Sequence, residues 1–210
     1  MQIRKVVTRS GTRMRGYFNS LKAQVMIPWE SGLEKDSCLL FEFSAGIKTY
    51  RAYQEREIYY DGPIQKSCYI DFLLELHSGQ SLLIEVKDER KLAEPAVRKK
   101  YALIAEHLQR QGRSFRLLTD AQINQEPRRS NLRKIAYHRP RMKVDWPMVT
   151  KSQLEKLGGK SLQEIGRLLG GERIAWQLLS THQLHCDLSQ AITSSTILSF
   201  VEADHDSLLF

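Results

Sequence analysis

The stretch Tyr69-Ile-Asp71-Phe-Leu-Leu-Glu-Leu76, followed after His77-Ser-Gly79-Gln by Ser81-Leu-Leu-Ile-Glu85-Val-Lys87, decides the reading of this chain. Two apolar runs, 68–76 and 81–88, flank a four-residue polar loop, which predicts a pair of antiparallel strands. Asp71, Glu85 and Lys87 interrupt those runs. Charges on an apolar strand are costly unless they are paired or coordinated, so these three need a reason to be there. Glu85 and Lys87, two residues apart, project from one face of a strand. A register that sets Asp71 opposite Glu85 brings both carboxylates to one edge, whereas a one-residue slip sends Asp71 to the other face.

Such an edge suits a nuclease. Paired carboxylates with phosphate oxygens are the ligands that magnesium prefers. A metal there would polarise a phosphate and acidify a water, while Lys87 orients the nucleophile or stabilises developing charge. The plainer alternative is a surface charge pair, Glu85 with Lys87, on a strand that Asp71 happens to start; an aspartate followed by Glu-x-Lys is short enough to arise by chance.

Outward from the hairpin the pattern is that of an α/β sandwich on a central mixed sheet. Ser31 with Glu34 three residues on resembles a capping box, and Leu33, Cys38, Leu40 and Phe41 give the helix that follows an apolar stripe ending at Ser44-Ala-Gly46. Glu34 would add a third carboxylate to the site. Residues 47–53 and 57–60 read as strands joined before the turn Asp61-Gly-Pro63, 94–111 as a helix, 114–119 as a further strand beside the hairpin, and 130–137 as a basic helix. Glu42 and Glu75 read as solvent-facing, and Glu30 is undecided. The front segment has no clean periodicity and reads as a basic arm, with Arg4, Lys5, Arg13, Arg15 and Lys22 as candidate DNA-phosphate contacts or, more plainly, a solvated tail.

The domain reading is 1–137 for this catalytic unit, 138–149 for a proline-containing linker, 150–201 for a small second domain and 202–210 for a tail. The second domain shows three short helices at 150–157, 161–169 and 172–180, then two candidate strands at 183–188 and 196–201, a winged-helix-like outline. Its charge differs from the front. The chain carries +8, but 151–210 holds five Lys/Arg against seven acids, which leaves +10 on the first 150 residues. That asymmetry suggests a polyanion-binding front and a back with another task. Three scattered cysteines with no CxxC pair argue against a disulfide framework or structural zinc. No run is long and apolar enough to span a bilayer, and no signal peptide is evident, so the expected location is cytoplasmic, near the nucleoid.

Taken together, Arg4-Lys-Val, Gly16-Tyr-Phe-Asn-Ser-Leu-Lys22, Trp29-Glu-Ser-Gly-Leu-Glu34, Tyr69-Ile-Asp71-Phe, Glu85-Val-Lys87 and Phe115-Arg-Leu-Leu-Thr-Asp120 resemble the TnsA family, endonuclease subunits of heteromeric cut-and-paste transposases. The resemblance implies a restriction-endonuclease-like PD-(D/E)xK core that cleaves DNA with Mg²⁺, Mn²⁺ being a substitute. In it Glu34, Asp71 and Glu85 are the metal ligands and, with Lys87, the catalytic residues. It implies nicking of the 5′ ends of a transposon while a TnsB-type DDE transposase cuts and joins the 3′ ends, with a TnsC-type AAA+ ATPase contacting the pair and a winged-helix-like C-terminal domain making protein contacts. Gln54-Glu-Arg56 departs from the family's Gln-Pro, and the short chain resembles members found with CRISPR-guided transposons.

Two other functions remain open on these residues: a stand-alone restriction or junction-resolving nuclease, and a non-catalytic DNA-binding adaptor. For the tail, Leu208-Leu-Phe210 after a run of acids is expected to stand exposed and to dock on the ATPase.

Overall fold

The computed structural model describes residues 14–140, 145–200 and 207–210. The chain divides into two units, Met1–Asn124 with His205–Phe210, and Gln125–Asp204.

In the first unit the expected arm is partly a hairpin. Strands β1 (Gly16–Ser20) and β2 (Val25–Trp29) pair antiparallel, Gly16 opposite Trp29. Glycine is required there because a Cβ would lie 2.5 Å from the Trp29 ring. Helix α1 (Gly32–Phe43) follows, with Ser31 as N-cap and Ser44 as C-cap, as the sequence pattern predicts. Strands β3 (Ile47–Ala52), β4 (Arg56–Asp61) and β5 (Ile64–Tyr69) come next, β4 and β5 joined through Gly62 at φ +62°. The expected strand at 68–76 is thus two strands: it breaks at Ile70-Asp71, and β6 runs from Phe72 to Leu76. Then follow β7 (Ser81–Lys87), the short helix α2 (Glu89–Leu92), α3 (Pro95–Arg110), β8 (Ser114–Thr119) and the short helix α4 (Asp120–Ile123).

The central sheet is mixed, in the order β3-β6-β7-β8. Strands β3, β6 and β7 are antiparallel neighbours, and β8 runs parallel to β7. In β6–β7, Phe72 faces Ile84 and Leu74 faces Leu82, so one more step sets Asp71 opposite Glu85. Helix α1 covers one face, where the Phe41 ring meets Tyr50 and Phe72 edge-on at 5.5 and 5.2 Å. Helix α3 covers the other, burying Tyr101, Ile104 and Leu108 with Leu83 and with Tyr59 and Cys68 of the β4–β5 ribbon. A one-residue slip would set Asp71 opposite Ile84 or Val86 in place of Glu85.

Two further expectations fail in this unit. Glu42 is not solvent-facing: it is 1% exposed, under the β1–β2 turn. Nor do Leu208-Leu-Phe210 stand free, since the Phe210 ring packs 5.6 Å from Phe41.

The second unit holds α5 (Arg128–Tyr137), α6 (Lys151–Leu157), β9 (Lys160–Ser161), α7 (Leu162–Leu169), α8 (Glu172–Ser180) and β10 (Ile197–Leu198). The boundary falls at Asn124 rather than 137 because α5 packs within this unit. The Asn131 amide donates to the Leu188 and Gln190 carbonyls at 3.0 and 2.7 Å and accepts from Ile192 N–H. The stretch read as a linker is also partly built in, His138 stacking on Trp176 at 5.0 Å. The three short helices stand where their spacing places them. The expected strand at 183–188 reduces to a single bridge, His185 to Ser199, beside the β9–β10 pair. Cys38 and Cys68 are buried free thiols, and Cys186 is a half-buried one. Among the described residues no helix is long and apolar enough to cross a membrane.

Candidate active site

An open cleft of about 820 Å³ in the first unit is lined by Glu30, Ser31, Glu34, Tyr69, Asp71, Glu85, Lys87, Lys91, Lys100 and Tyr101, with Met14 and Gly32 at its rim. All four residues that the sequence assigns to catalysis therefore meet here. Each is delivered by a different local cause. Glu34 sits in the first turn of α1 because Ser31 starts the helix, and its carboxylate turns back to accept the Glu30 N–H at 2.7 Å and the Ser31 hydroxyl at 2.9 Å. Asp71 occupies the break between β5 and β6, where its Oδ2 accepts the Val86 N–H at 2.7 Å. Glu85 is 4% exposed on β7. One of its oxygens receives both the Tyr101 hydroxyl at 2.6 Å and Lys87 Nζ at 2.9 Å.

The electrostatics are those of negative charge held in excess. Burial, then repulsion from Glu85 and Glu34, pushes the Asp71 carboxyl well above the usual carboxylate range; the Val86 N–H and Lys87 only partly offset this. Burial also raises Glu34, with Glu30 and Glu85 adding to it against its two hydrogen bonds. For Lys87 burial alone would favour the neutral amine, but Glu85, Asp71 and Glu34 outweigh it and the pKa rises, so the lysine stays charged at neutral pH. Burial and the adjacent Glu85 likewise raise the Tyr101 hydroxyl, which remains a proton donor to Glu85.

Among the described residues no three carboxylate, His or Cys side chains are already drawn together in a metal-ligating arrangement. Each acid is instead held by its own protein donors. The donor set nevertheless fits a hard divalent cation: three carboxylates share one cleft, and burial and mutual repulsion raise the pKa of two of them, the imbalance that a cation would relieve.

The proposed phosphate contacts fare unevenly. Arg4, Lys5 and Arg13 lie outside the described residues. Arg15 is half-buried just before β1. Lys22 does not fit the role, because its ammonium turns inward to the carbonyls of Ser44 and Ile47. Burial lowers its pKa to about 8, against the pull of Glu42.

Sequence reasoning missed Tyr101, Lys91 and Lys100. Tyr101 reads as one more apolar position of a helix, yet its hydroxyl anchors Glu85 while Lys87 and Lys100 lie over its ring at 5.6 and 5.1 Å. The only hint was a tyrosine, rather than a leucine, on a buried helical stripe.

Residues 45–120 match the family model described as TnsA-like endonuclease N terminal. Over this stretch the chain is TnsA-like. The match takes in Asp71, Glu85, Lys87 and Tyr101, and starts after Glu34. No curated protein matches the chain.

Proposed function

We propose that this TnsA-like chain is a metal-dependent DNA endonuclease that cuts the 5′ ends of a transposon alongside a DDE-type transposase. The observation that carries this reading is the meeting of Glu34, Asp71, Glu85 and Lys87 in one cleft of a domain whose family is named for endonuclease activity. Asp71, Glu85 and Glu34 would hold Mg²⁺, or Mn²⁺ in its place, which when bound supplies Lewis-acid polarisation of a phosphate and a more acidic water. The chain's own residues do the rest. Tyr101 and Lys87 fix one oxygen of Glu85 and leave the other for the site. Lys87, kept protonated by its acidic neighbours, stabilises charge that develops on the phosphate. Lys91 and Lys100, on the same cleft, neutralise flanking phosphates of the strand being cut.

The second unit, winged-helix-like in its element order, is assigned contacts with a TnsB-type transposase and a TnsC-type ATPase. A restriction-endonuclease-like core fits the mixed sheet, with Asp71 just before β6 and Glu85 on β7, its two central strands.

The decisive experiment compares the chain with its Asp71→Ala variant on transposon-end DNA, with partner transposase, ATPase and Mg²⁺. Cation stabilisation is worth several kcal/mol, so 5′-strand cutting should fall at least about a thousandfold while DNA binding persists. Undiminished cutting would leave an adaptor whose acids are structural. Full cutting by the wild-type chain alone would instead indicate a stand-alone nuclease.

A further inference from the structure

The first unit carries a second cavity, of about 690 Å³, lined by Leu76, Leu82, Phe115 and Arg116 and, from the far end of the chain, by Leu208. Around it the segment Ser207–Phe210 is held through its backbone as well as its side chains. The Gly46 N–H donates to the Ser207 carbonyl at 2.7 Å, and the Leu209 N–H donates to the Ser44 hydroxyl at 3.1 Å. Arg116 donates to the Phe210 carbonyl at 3.2 Å, and its guanidinium lies 5.8 Å over the Phe210 ring. That ring in turn covers Phe41, which is 0% exposed.

We propose that this face of the first unit is a peptide-docking socket whose occupant is Ser207–Phe210 of the same chain, and that the resulting clasp is releasable. The pattern is that of an extended peptide read at alternate positions. Main-chain bonds fall on residues 207, 209 and 210, while the side chain of Leu208 lines the cavity and that of Phe210 takes the aromatic seat. The receiving groups belong to elements that the fold needs anyway: Ser44 caps α1, Gly46 leads into β3, and Arg116 stands on β8.

Releasability follows from how little holds the clasp. Four residues, all half-exposed, are seated by a few hydrogen bonds, a contact of the size that opens locally without global unfolding. Attachment to the same chain keeps the effective concentration of such a segment near the millimolar range, so even a weak socket stays filled. The clasp also has a topological effect. The chain leaves the first unit after Asn124 and rejoins it in this segment, so a closed clasp pins Gln125–Asp204 at both ends and an open one leaves a single tether.

The test uses the full chain, its Phe210→Ser and Leu208→Ser variants, and a Phe210→Ser variant that also carries Arg116→Ala. Two readouts are taken: amide hydrogen exchange, and binding of a fluorescent peptide spanning residues 204–210. In the wild type the Gly46 amide should exchange about a hundredfold faster than that of Ile84 in the central strand, reporting a local opening. In either single variant Gly46 exchange should rise about tenfold or more, with Ile84 unchanged as the sign of an intact fold. The peptide should bind the single variants at least about tenfold more tightly than the wild type, and the Arg116→Ala addition should remove that binding. The proposal is overturned if Gly46 protection equals that of Ile84, if the variants leave Gly46 exchange unchanged, or if the peptide binds wild type and variants alike or binds none of them.

Discussion

One helix holds two acids with opposite circumstances. Glu42, in the last turn of α1, is buried and fully served. One of its oxygens receives the Ser20 and Tyr50 hydroxyls at 2.8 and 2.9 Å, and the other receives the Leu21 and Lys22 N–H groups at 2.8 and 3.1 Å. Glu34, in the first turn, shares its cleft with Asp71 and Glu85 and is pushed toward protonation by burial and by like charge. Burial of a carboxylate is therefore no sign of chemistry in itself. What sets the cleft acids apart from Glu42 is that, besides their donors, they face one another, and like charge raises Asp71 and Glu34.

The strongest way to break that comparison is Glu42→Ala. It would strand two hydroxyls and two backbone N–H groups in the interior, so a loss of about 3–5 kcal/mol is expected in urea unfolding. A loss below about 1 kcal/mol would mean that the β1–β2 turn rearranges to satisfy them, and that Glu42 is no staple.

Tyr101→Phe probes the other acid group more gently. It keeps the ring under Lys87 and Lys100 and removes only the hydroxyl on Glu85. Groups that orient a ligand typically matter 10- to 100-fold for metal affinity, so the Mg²⁺ concentration that half-maximally raises the melting temperature should climb about tenfold. The melting temperature without cation should change little. A large loss in the cation-free protein would instead mark Tyr101 as core alone.

These two residues also show where the sequence was readable. The hairpin was legible from a short loop between two apolar runs, and the capping residues announced α1, but the register stayed open between the observed alignment and a one-residue slip because β7 is apolar on both faces. Strand β5 was not legible: Ile64-Gln-Lys-Ser67 is exposed and lacks alternation, since it pairs with β4 as a ribbon instead of lying in the main sheet. Glu42 and Lys22 were misread for a shared reason. Whether a charged side chain turns inward depends on donors and carbonyls supplied by a distant turn, which local periodicity cannot report. The candidate site was legible in its acids and its lysine because those types are out of place on apolar strands, while Tyr101 was at home on its helix and stayed hidden.

Acid–base behaviour sharpens the comparison further. Asp71 holds its proton to higher pH when folded than when unfolded. Between the usual carboxylate range and that raised value the native state binds more protons, so this group's contribution to stability falls as pH rises. Glu57 runs the other way. Burial alone would raise it, but hydrogen bonds from Arg113 and Tyr53 prevail and lower it, so its contribution is present above the unfolded value and is lost as pH falls through the folded one. Asp71→Asn should therefore stabilise the cation-free protein at neutral pH by about 1 kcal/mol, a trade of stability against function, and flatten the decline toward neutrality in thermal melts. Mg²⁺ should stabilise the wild type more than the variant.

The smallest effect is expected at the surface. Asp61 contacts Lys66 at 2.7 Å and Lys99 at 2.8 Å, and its carboxyl is drawn down to about 2, chiefly by hydrogen bonds from those two lysines. On paper this is a better-paired acid than Glu34. Yet water solvates all three groups in the folded and unfolded chain alike, and ordering two lysine side chains offsets much of the attraction. Asp61→Asn should barely move the melting midpoint at physiological salt, and roughly 0.5 M salt should erase any difference. A large, salt-resistant loss would show that ion pairing at the β4–β5 turn, rather than burial among donors, decides which acids hold this fold together.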